Sequence, residues 1–135
     1  MIAVDTNILL RTFVADNPVQ ARVARHLMGH SDGVFVSKTV LLEVEWVLRS
    51  LYRQSPAQIH VGIASLLGLP NVVAENPGQV FQAMGDFAAG MDFADALHVA
   101  SSQADEGFYS FDRKLTKKAS SRGRDAHLAK TGVSI

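Results

Sequence analysis

Acidic side chains stand at several points where the chain is predicted to leave a strand or to begin a helix. Asp5 and Asp112 each follow a short apolar run that is typical of a buried strand. Asp92 and Asp95 are three residues apart at the start of a predicted helix, so they share one face. Ionised carboxylates gathered at one place repel each other. Because Mg²⁺ and Mn²⁺ prefer oxygen ligands and would remove that repulsion, the pattern predicts a site for a hard divalent cation.

Glu43 is a further candidate ligand, since it lies inside a predicted helix, where it cannot cap the helix start. Glu45 competes with it, because the two glutamates flank the middle of an apolar stripe centred near Val44. Periodicity therefore does not choose between them. Divalent cations held by carboxylates activate water and stabilise the leaving oxygen, so such a site would suit phosphodiester cleavage. The chain has no cysteine, which excludes a thiolate site for a soft metal.

A purely structural interpretation of the aspartates stays open. Asp5, Asp92 and Asp112 each precede a predicted helix, and Asp is a preferred N-cap residue. Asp92 together with Asp95 also resembles a capping box, and acidic side chains in a first turn interact favourably with the helix dipole. Under this interpretation the acids stabilise helix starts and bind no metal.

The length and composition of the chain limit its class. At about 100–200 residues per domain, 135 residues predict a single domain over 1–135. Hydrophobic residues make up 47% and charged residues 19%, a balance that excludes intrinsic disorder, and the lack of cysteine excludes a disulfide scaffold. No apolar run approaches the ~18 residues of a membrane helix, and the opening MIAVD has no secretion-signal pattern. We therefore expect a cytoplasmic protein without a membrane partner.

The charges are divided unevenly along a chain whose formal net charge is zero. Residues 1–107 are acidic overall, whereas residues 108–135 carry seven basic and two acidic side chains. This division is compatible with a metal site beside a phosphate-binding strip, in which Arg113 or Lys114 would hold the substrate phosphate. A solvated C-terminal helix explains the same charges equally well.

Hydrophobic periodicity and capping signals predict strands that alternate with helices. The predicted strands are residues 2–4, 34–36, 71–74, 108–111 and, as an edge strand, 133–135. The predicted helices are residues 7–13, a helix from Pro18 with Asn17 as its cap, a helix from a Ser37 or Thr39 cap to about 53, and residues 56 to about 67, 77 to about 89, 92–104 and 113–119.

This order of elements predicts an α/β fold, as a three-layer α/β/α sandwich with a mainly parallel sheet of four to five strands. The second helix carries Val19, Val23 and Leu27 at four-residue spacing, which is typical of an amphipathic helix. One apolar stripe is predicted on the third helix, from residues Val40, Val44, Val47, Leu48 and Leu51. Ligands in such folds bind outside the carboxyl ends of the strands, where Asp5 and Asp112 are expected.

Four segments of the chain resemble a known family. They are VDTNILL at 4–10, VSKTVLLEVEWVL at 36–48, MDFADALHVASS at 91–102 and YSFDRKLTKKA at 109–119. In this order they resemble PIN-domain ribonucleases, and most closely the VapC toxins of type II toxin–antitoxin pairs. The resemblance covers residues 2–119 and implies one PIN-like domain. The tail from Ser120 matches only loosely.

The resemblance also implies a site and an activity. It selects Glu43 over Glu45, makes Asp92 an accessory acid, and places the metal-binding catalytic acids at Asp5, Glu43, Asp95 and Asp112. Supporting polar side chains are implied at Thr6, Asn7 and Ser110. The implied protein is a Mg²⁺- or Mn²⁺-dependent endoribonuclease toxin that forms a homodimer or a higher toxin–antitoxin assembly. Its implied partners are an RNA substrate and a cognate VapB-like antitoxin that neutralises it.

Two other functions fit parts of the sequence. A catalytically inactive PIN-like domain would bind RNA or an antitoxin and use its acids only as helix caps. A haloacid-dehalogenase-type phosphatase also begins with an aspartate after its first strand, but its chemistry needs a second aspartate two residues later, where this chain has Asn7. A metal role for His98, three residues after Asp95, competes with a packing role.

Overall fold

The computed structural model describes residues 1–14, 16–102 and 106–130. The chain forms two compact units, the N-terminal unit Met1–Pro77 and the C-terminal unit Gly78–Ile135. The described part of the N-terminal unit contains β1 (Ile2–Ala3), α1 (Thr6–Phe13), α2 (Pro18–His30), β2 (Val34–Val36), α3 (Lys38–Ser50), α4 (Pro56–Leu67) and β3 (Val72–Ala74). The described part of the C-terminal unit contains α5 (Pro77–Ala88), α6 (Phe93–Ser101), β4 (Phe108–Ser110), α7 (Arg113–Ser121) and β5 (Ala126–Leu128). The first residue of α5, Pro77, is the last residue of the N-terminal unit.

A parallel sheet with the strand order β1-β2-β3 forms the centre of the N-terminal unit. Ile2 pairs with Val34, and Val34 pairs with Val72. Parallel neighbours need long crossover connections, which are provided here by α1 with α2 and by α3 with α4. Val34 and Val36 are fully buried in the central strand, as expected for a strand covered on both faces.

Side-chain caps define where the helices of the N-terminal unit begin. Asn17 accepts a hydrogen bond from the Gln20 N–H at 3.1 Å, directly before the proline that starts α2. Ser37, and not Thr39, caps α3, and its Oγ accepts from the Val40 N–H at 3.2 Å. Each cap satisfies a backbone N–H that the helix itself leaves without a partner.

Two parallel strands and helix α7 between them form one half of the C-terminal unit. Phe108 of β4 pairs with Ala126 of β5, and α7 packs against both strands. Gly107, just before β4, has a φ of +92°, and a Cβ there would lie 2.8 Å from the His127 ring. This position therefore requires glycine both for its backbone conformation and for the close approach of the histidine.

A buried carboxylate connects α5 to the end of α7. Asp86 is fully buried, and its Oδ1 accepts from Arg122 Nε at 3.0 Å and from Arg124 Nη2 at 2.9 Å. Its Oδ2 accepts from Arg124 Nε at 3.0 Å. The hydrogen bonds to Asp86 raise the pKa of Arg124, because they favour its charged form. A carboxylate is tolerated at this depth because both of its oxygens bind cations.

The α/β class with parallel strands, predicted from the sequence, is confirmed. Most element boundaries agree within about three residues, which is the usual uncertainty of helix and strand ends. The strand β5 was not predicted, and the strand predicted at 133–135 lies outside the described residues. No helix in the described part of the chain is long and apolar enough to cross a membrane.

The apolar residues that indicated helix α2 do not form its buried face. Val19 and Val23 are exposed by 65% and 60%, and Leu27 is also exposed. The buried side chains of α2 are Ala21, Ala24 and Met28. Helix α2 packs against α1, and small alanine side chains permit close contact between helices. Four-residue spacing identifies an apolar stripe, but it does not show which side of the helix faces the core.

The stripe predicted on α3 also needs correction. Leu51 is exposed by 68%, and Val40 and Val47 are only partly buried. The buried residues of this helix are Leu41, Val44, Glu45 and Leu48. The core face therefore includes a glutamate, which a count of apolar residues does not place in the core.

Replacing Asp86 with Asn should lower the free energy of unfolding by about 3 kcal/mol, because it leaves two arginines without their buried counter-charge. Urea unfolding followed by circular dichroism measures this loss. The matched control is Asp32→Asn, at an exposed position, which should change stability by less than about 0.5 kcal/mol. Equal stability of the two variants would contradict the structural role of Asp86.

Candidate functional site

Asp5 lies two residues after the end of β1 and caps α1. One of its oxygens, Oδ1, accepts a hydrogen bond from the Ile8 N–H at 3.1 Å, and the side chain is exposed. The predicted capping role of Asp5 is therefore confirmed. This cap uses one carboxylate oxygen and holds the side chain at the carboxyl end of β1, where ligands collect in parallel sheets.

A hydrogen bond from Thr6 distinguishes the two glutamates of α3. Thr6 is buried at the start of α1, and its Oγ1 donates to Glu43 Oε1. Glu43 is thereby held next to the residue that follows Asp5. Glu45 is only 3% exposed, and its Oε2 accepts from Arg49 Nε at 2.8 Å. Periodicity left the choice open, whereas the fold buries Glu45 in an ion pair and leaves Glu43 exposed beside the Asp5–Thr6 segment.

Asn7 takes part in a polar network on the same unit. Its Oδ1 accepts from Arg11 Nη2 at 3.2 Å, and Arg11 forms an ion pair with Asp16. Tyr52 donates to Asp16 Oδ2 at 2.7 Å, and this hydrogen bond, with burial and the charge of Asp16, raises the pKa of Tyr52. The network ties Arg11 to its own unit, which favours a structural role for this arginine.

Two further aspartates cap helices in the C-terminal unit. Asp92 caps α6, and its Oδ2 accepts from the Asp95 N–H at 3.1 Å. Asp112 caps α7, and its Oδ1 accepts from the Leu115 N–H at 3.1 Å. The Asp112 N–H donates to Ser110 Oγ at 3.0 Å, so the serine hydroxyl helps to orient the cap. Both predicted caps are confirmed.

Asp95 differs from the caps because its environment opposes its charge. Burial is the largest cause that raises its pKa, followed by the negative charges of Asp92 and Asp112. The charge of His98, which is exposed, acts in the opposite direction. The first turns of α6 and α7 therefore create a region of negative potential in this unit, with Asp95 as its least solvated member.

The donor chemistry of these residues fits a hard divalent cation, since all of them offer carboxylate oxygens. Within residues 1–14, 16–102 and 106–130, no group of three or more acidic or histidine side chains is arranged to hold an ion. Glu43 stands beside Thr6, and Asp95 interacts electrostatically with Asp92 and Asp112. These acids thus stand in smaller groups, one in each unit.

The basic residues after position 107 fall into two groups. Arg122 and Arg124 bind the buried Asp86, and Lys118 donates to the Gly90 carbonyl at 2.7 Å, so these three stabilise the fold. The other four are exposed and form no ion pair within the described residues: Arg113, Lys114, Lys117 and Lys130. The charge pattern alone did not separate these two groups.

Sequence reasoning missed two features of the C-terminal unit. Asp86 receives its hydrogen bonds from residues 36 and 38 positions later in the chain, so no local signal marks it. His127, on β5, stacks on Tyr109 with ring centroids 5.0 Å apart. The pattern that could have indicated β5 is the short run Ala-His-Leu, which is too brief and too polar to be recognised without its partner strand.

The chain is similar to a known protein family. A family profile described as PIN domain matches residues 2–120, which is most of the chain. None of the curated proteins compared with the chain matches it.

Replacing Thr6 with Val should lower the free energy of unfolding by about 1.5–3 kcal/mol, because it removes a hydrogen bond to the charged Glu43 at nearly constant side-chain volume. Thr6→Ser keeps the hydroxyl and is the matched control, with a smaller expected loss. Chemical unfolding of both variants tests this expectation. If Thr6→Val is as stable as Thr6→Ser, the hydrogen bond does not position Glu43.

Proposed function

The chain belongs to the PIN domain family, whose members are generally nucleases, and on this premise we propose that it is a metal-dependent endoribonuclease. We propose further that it is the toxin of a type II toxin–antitoxin pair, as its resemblance to VapC toxins implies. The family match spans residues of both units, which supports one PIN-like domain over 1–135.

The observation that carries the proposal is that helix capping does not account for all of the motif acids. Asp5, Asp92 and Asp112 each use one oxygen as a cap. Asp95 and Glu43 cap no helix. Asp95 is partly buried near two like charges, and Glu43 is held by a buried threonine. Burial and the like charges of Asp92 and Asp112 oppose the charge of Asp95, and a bound cation would offset this cost.

The proposed ligands follow the family pattern. The residues that would hold one or two Mg²⁺ or Mn²⁺ ions are Asp5, Glu43, Asp95 and Asp112, with Asp92 as an accessory acid. When bound, such an ion supplies water activation and stabilisation of the leaving oxygen. The supporting residues have distinct tasks in this proposal. Thr6 orients Glu43, Ser110 orients Asp112, and Asn7 stands beside Asp5 while it accepts from Arg11.

The proposed reaction is hydrolysis of an RNA phosphodiester. The oxygen of water forms a bond to phosphorus, and the bond from phosphorus to the leaving sugar oxygen breaks. Arg113 and Lys114 occupy the first turn of α7 and are exposed, so they would hold the substrate phosphate near Asp112. A serine or cysteine nucleophile is not required by this chemistry.

The partners and location in this proposal come from the resemblance and the composition. They are a VapB-like antitoxin that neutralises the enzyme, a homodimer or higher toxin–antitoxin assembly, and a cytoplasmic location. The capping geometry of three aspartates favours a second candidate function, an inactive PIN-like domain that binds RNA or an antitoxin without metal. A metal-dependent gain of stability separates the two candidates, because only a protein that binds the ion in its folded state is stabilised by it.

Replacing Asp95 or Asp5 with Asn should reduce metal-dependent cleavage of RNA by at least about a hundredfold, because even outer partners of metal ligands contribute 10–100-fold. The measurement uses purified protein and structured RNAs with Mg²⁺, Mn²⁺ or a chelator. Asp32→Asn is the control and should cleave like the wild type. Cleavage at the wild-type rate by Asp95→Asn, or in the presence of chelator, would refute the assignment.

The two glutamates of α3 provide a matched pair for a second test. Mn²⁺ at about a hundredfold excess over its Kd should stabilise the wild type by about 2.7 kcal/mol. Glu43→Gln keeps the acceptor for Thr6, so it should keep the stability without metal but lose this gain. Glu45→Gln should show the reverse, since it weakens a buried ion pair. Thermal unfolding with and without Mn²⁺ measures both, and an equal metal response in the two variants would exclude Glu43 as a ligand.

A further inference from the structure

A groove of about 560 Å³ lies on the C-terminal unit beside β4, β5 and the exposed side of α7. Tyr109 and His127 line it from neighbouring parallel strands, with ring centroids 5.0 Å apart and ring planes inclined by 30°. The His127 side chain is 46% exposed. The groove thus presents a stacked pair of flat rings to solvent.

Contacts with two residues, Asp125 and Gly107, hold the His127 ring in its orientation. Its Nε2 lies 2.5 Å from Asp125 Oδ1, and its ring packs so closely on Gly107 that a Cβ there would lie within 3 Å of it. Neither contact is part of the carboxylate site described above. The ring pair is therefore preorganised, which lowers the entropic cost of binding a flat partner.

The walls of the groove are cationic. Arg113 and Lys117 lie four residues apart on one face of α7, and Lys130 follows β5. None of the three forms an ion pair within the described residues, and no acidic side chain is among the groove lining. Arg113 and Lys117 repel each other at this spacing, which lowers the stability of α7. A bound polyanion would remove this repulsion.

We propose that this groove binds single-stranded RNA, with a base on the Tyr109–His127 ring pair and the phosphates on Arg113, Lys117 and Lys130. Stacking rings beside a row of cations are the combination that binds single strands with little sequence preference. An acidic peptide would satisfy the cations but would not use the ring faces. Arg113 directly follows Asp112, so the groove begins at the first turn of α7, beside that carboxylate. The choice of RNA over other polyanions rests on the proposed function.

The phosphate contacts are tested by the double variant Lys117→Gln/Lys130→Gln. Fluorescence anisotropy with a labelled, unstructured oligoribonucleotide in the presence of chelator measures binding without cleavage. We expect the affinity to fall at least tenfold, and the slope of log affinity against log salt to fall by about 0.7 for each lost contact. Arg25→Gln, an exposed cation on α2, is the matched control and should bind like the wild type. An unchanged salt slope in the double variant would overturn the proposal.

The stacking contact is tested by His127→Ala and by Tyr109→Leu, which keeps apolar volume on β4. Each should weaken RNA binding by about tenfold, while the salt slope stays at the wild-type value. On an abasic chain of the same length, the wild type and these variants should bind equally. Circular dichroism and thermal unfolding establish that each variant is folded. An equal loss on the abasic chain, or binding of polyglutamate that is equally sensitive to His127→Ala, would overturn the proposal.

The binding and cleavage experiments distinguish a failure of the groove proposal from a failure of the proposed ribonuclease function. If the groove variants lose RNA binding but the wild type shows no metal-dependent cleavage, only the proposed ribonuclease function fails. If the wild type cleaves RNA and the groove variants bind and cleave equally well, only the groove proposal fails.

Discussion

Hydrogen bonds from backbone N–H groups to aspartate side chains at helix starts are the interaction on which the candidate site depends. Asp5, Asp92 and Asp112 each accept one such bond from the residue three positions later. These bonds stabilise the helices and hold the carboxylates at fixed positions, with one oxygen of each used by the cap. A capping role and a ligand role therefore do not exclude each other. The cap uses one carboxylate oxygen of each aspartate, and the proposed ligand role would use the other.

Charged residues in the described part of the chain divide into those that form ion pairs and those that form none. Glu45 and Asp86 are buried, and arginines neutralise both of them. Within the described residues no arginine pairs with Glu43 or Asp95: Glu43 accepts from a threonine, and Asp95 lies near other acids. Among the basic residues after position 107, Arg113 is one of four that are exposed and form no ion pair within the described residues. The residues proposed to bind metal or phosphate come from those that the fold does not neutralise.

Local signals predicted the alternation of strands and helices well, because caps and proline positions act within three or four residues. Asn17 caps α2 as predicted, and Ser37 is the one of the two predicted candidates that caps α3. The apolar residues spaced along α2 are exposed, since apolar spacing indicates a helix but not which face packs against a partner. Strand β5 was missed for a related reason: its residues form a strand by pairing with β4 rather than by their own preference.

The sequence by itself determined the fold class, the helix starts, and the order of the acidic motifs that indicates the family. Only the tertiary structure decided that Glu45 is buried while Glu43 is exposed beside Thr6. It also decided that two of the C-terminal arginines neutralise Asp86 and that His127 stacks on Tyr109. Most of these outcomes depend on partners that lie far apart in the chain. The ion pair of Glu45 with Arg49, four residues later, is the exception. Packing brings such groups together, and no local pattern records which of them will meet.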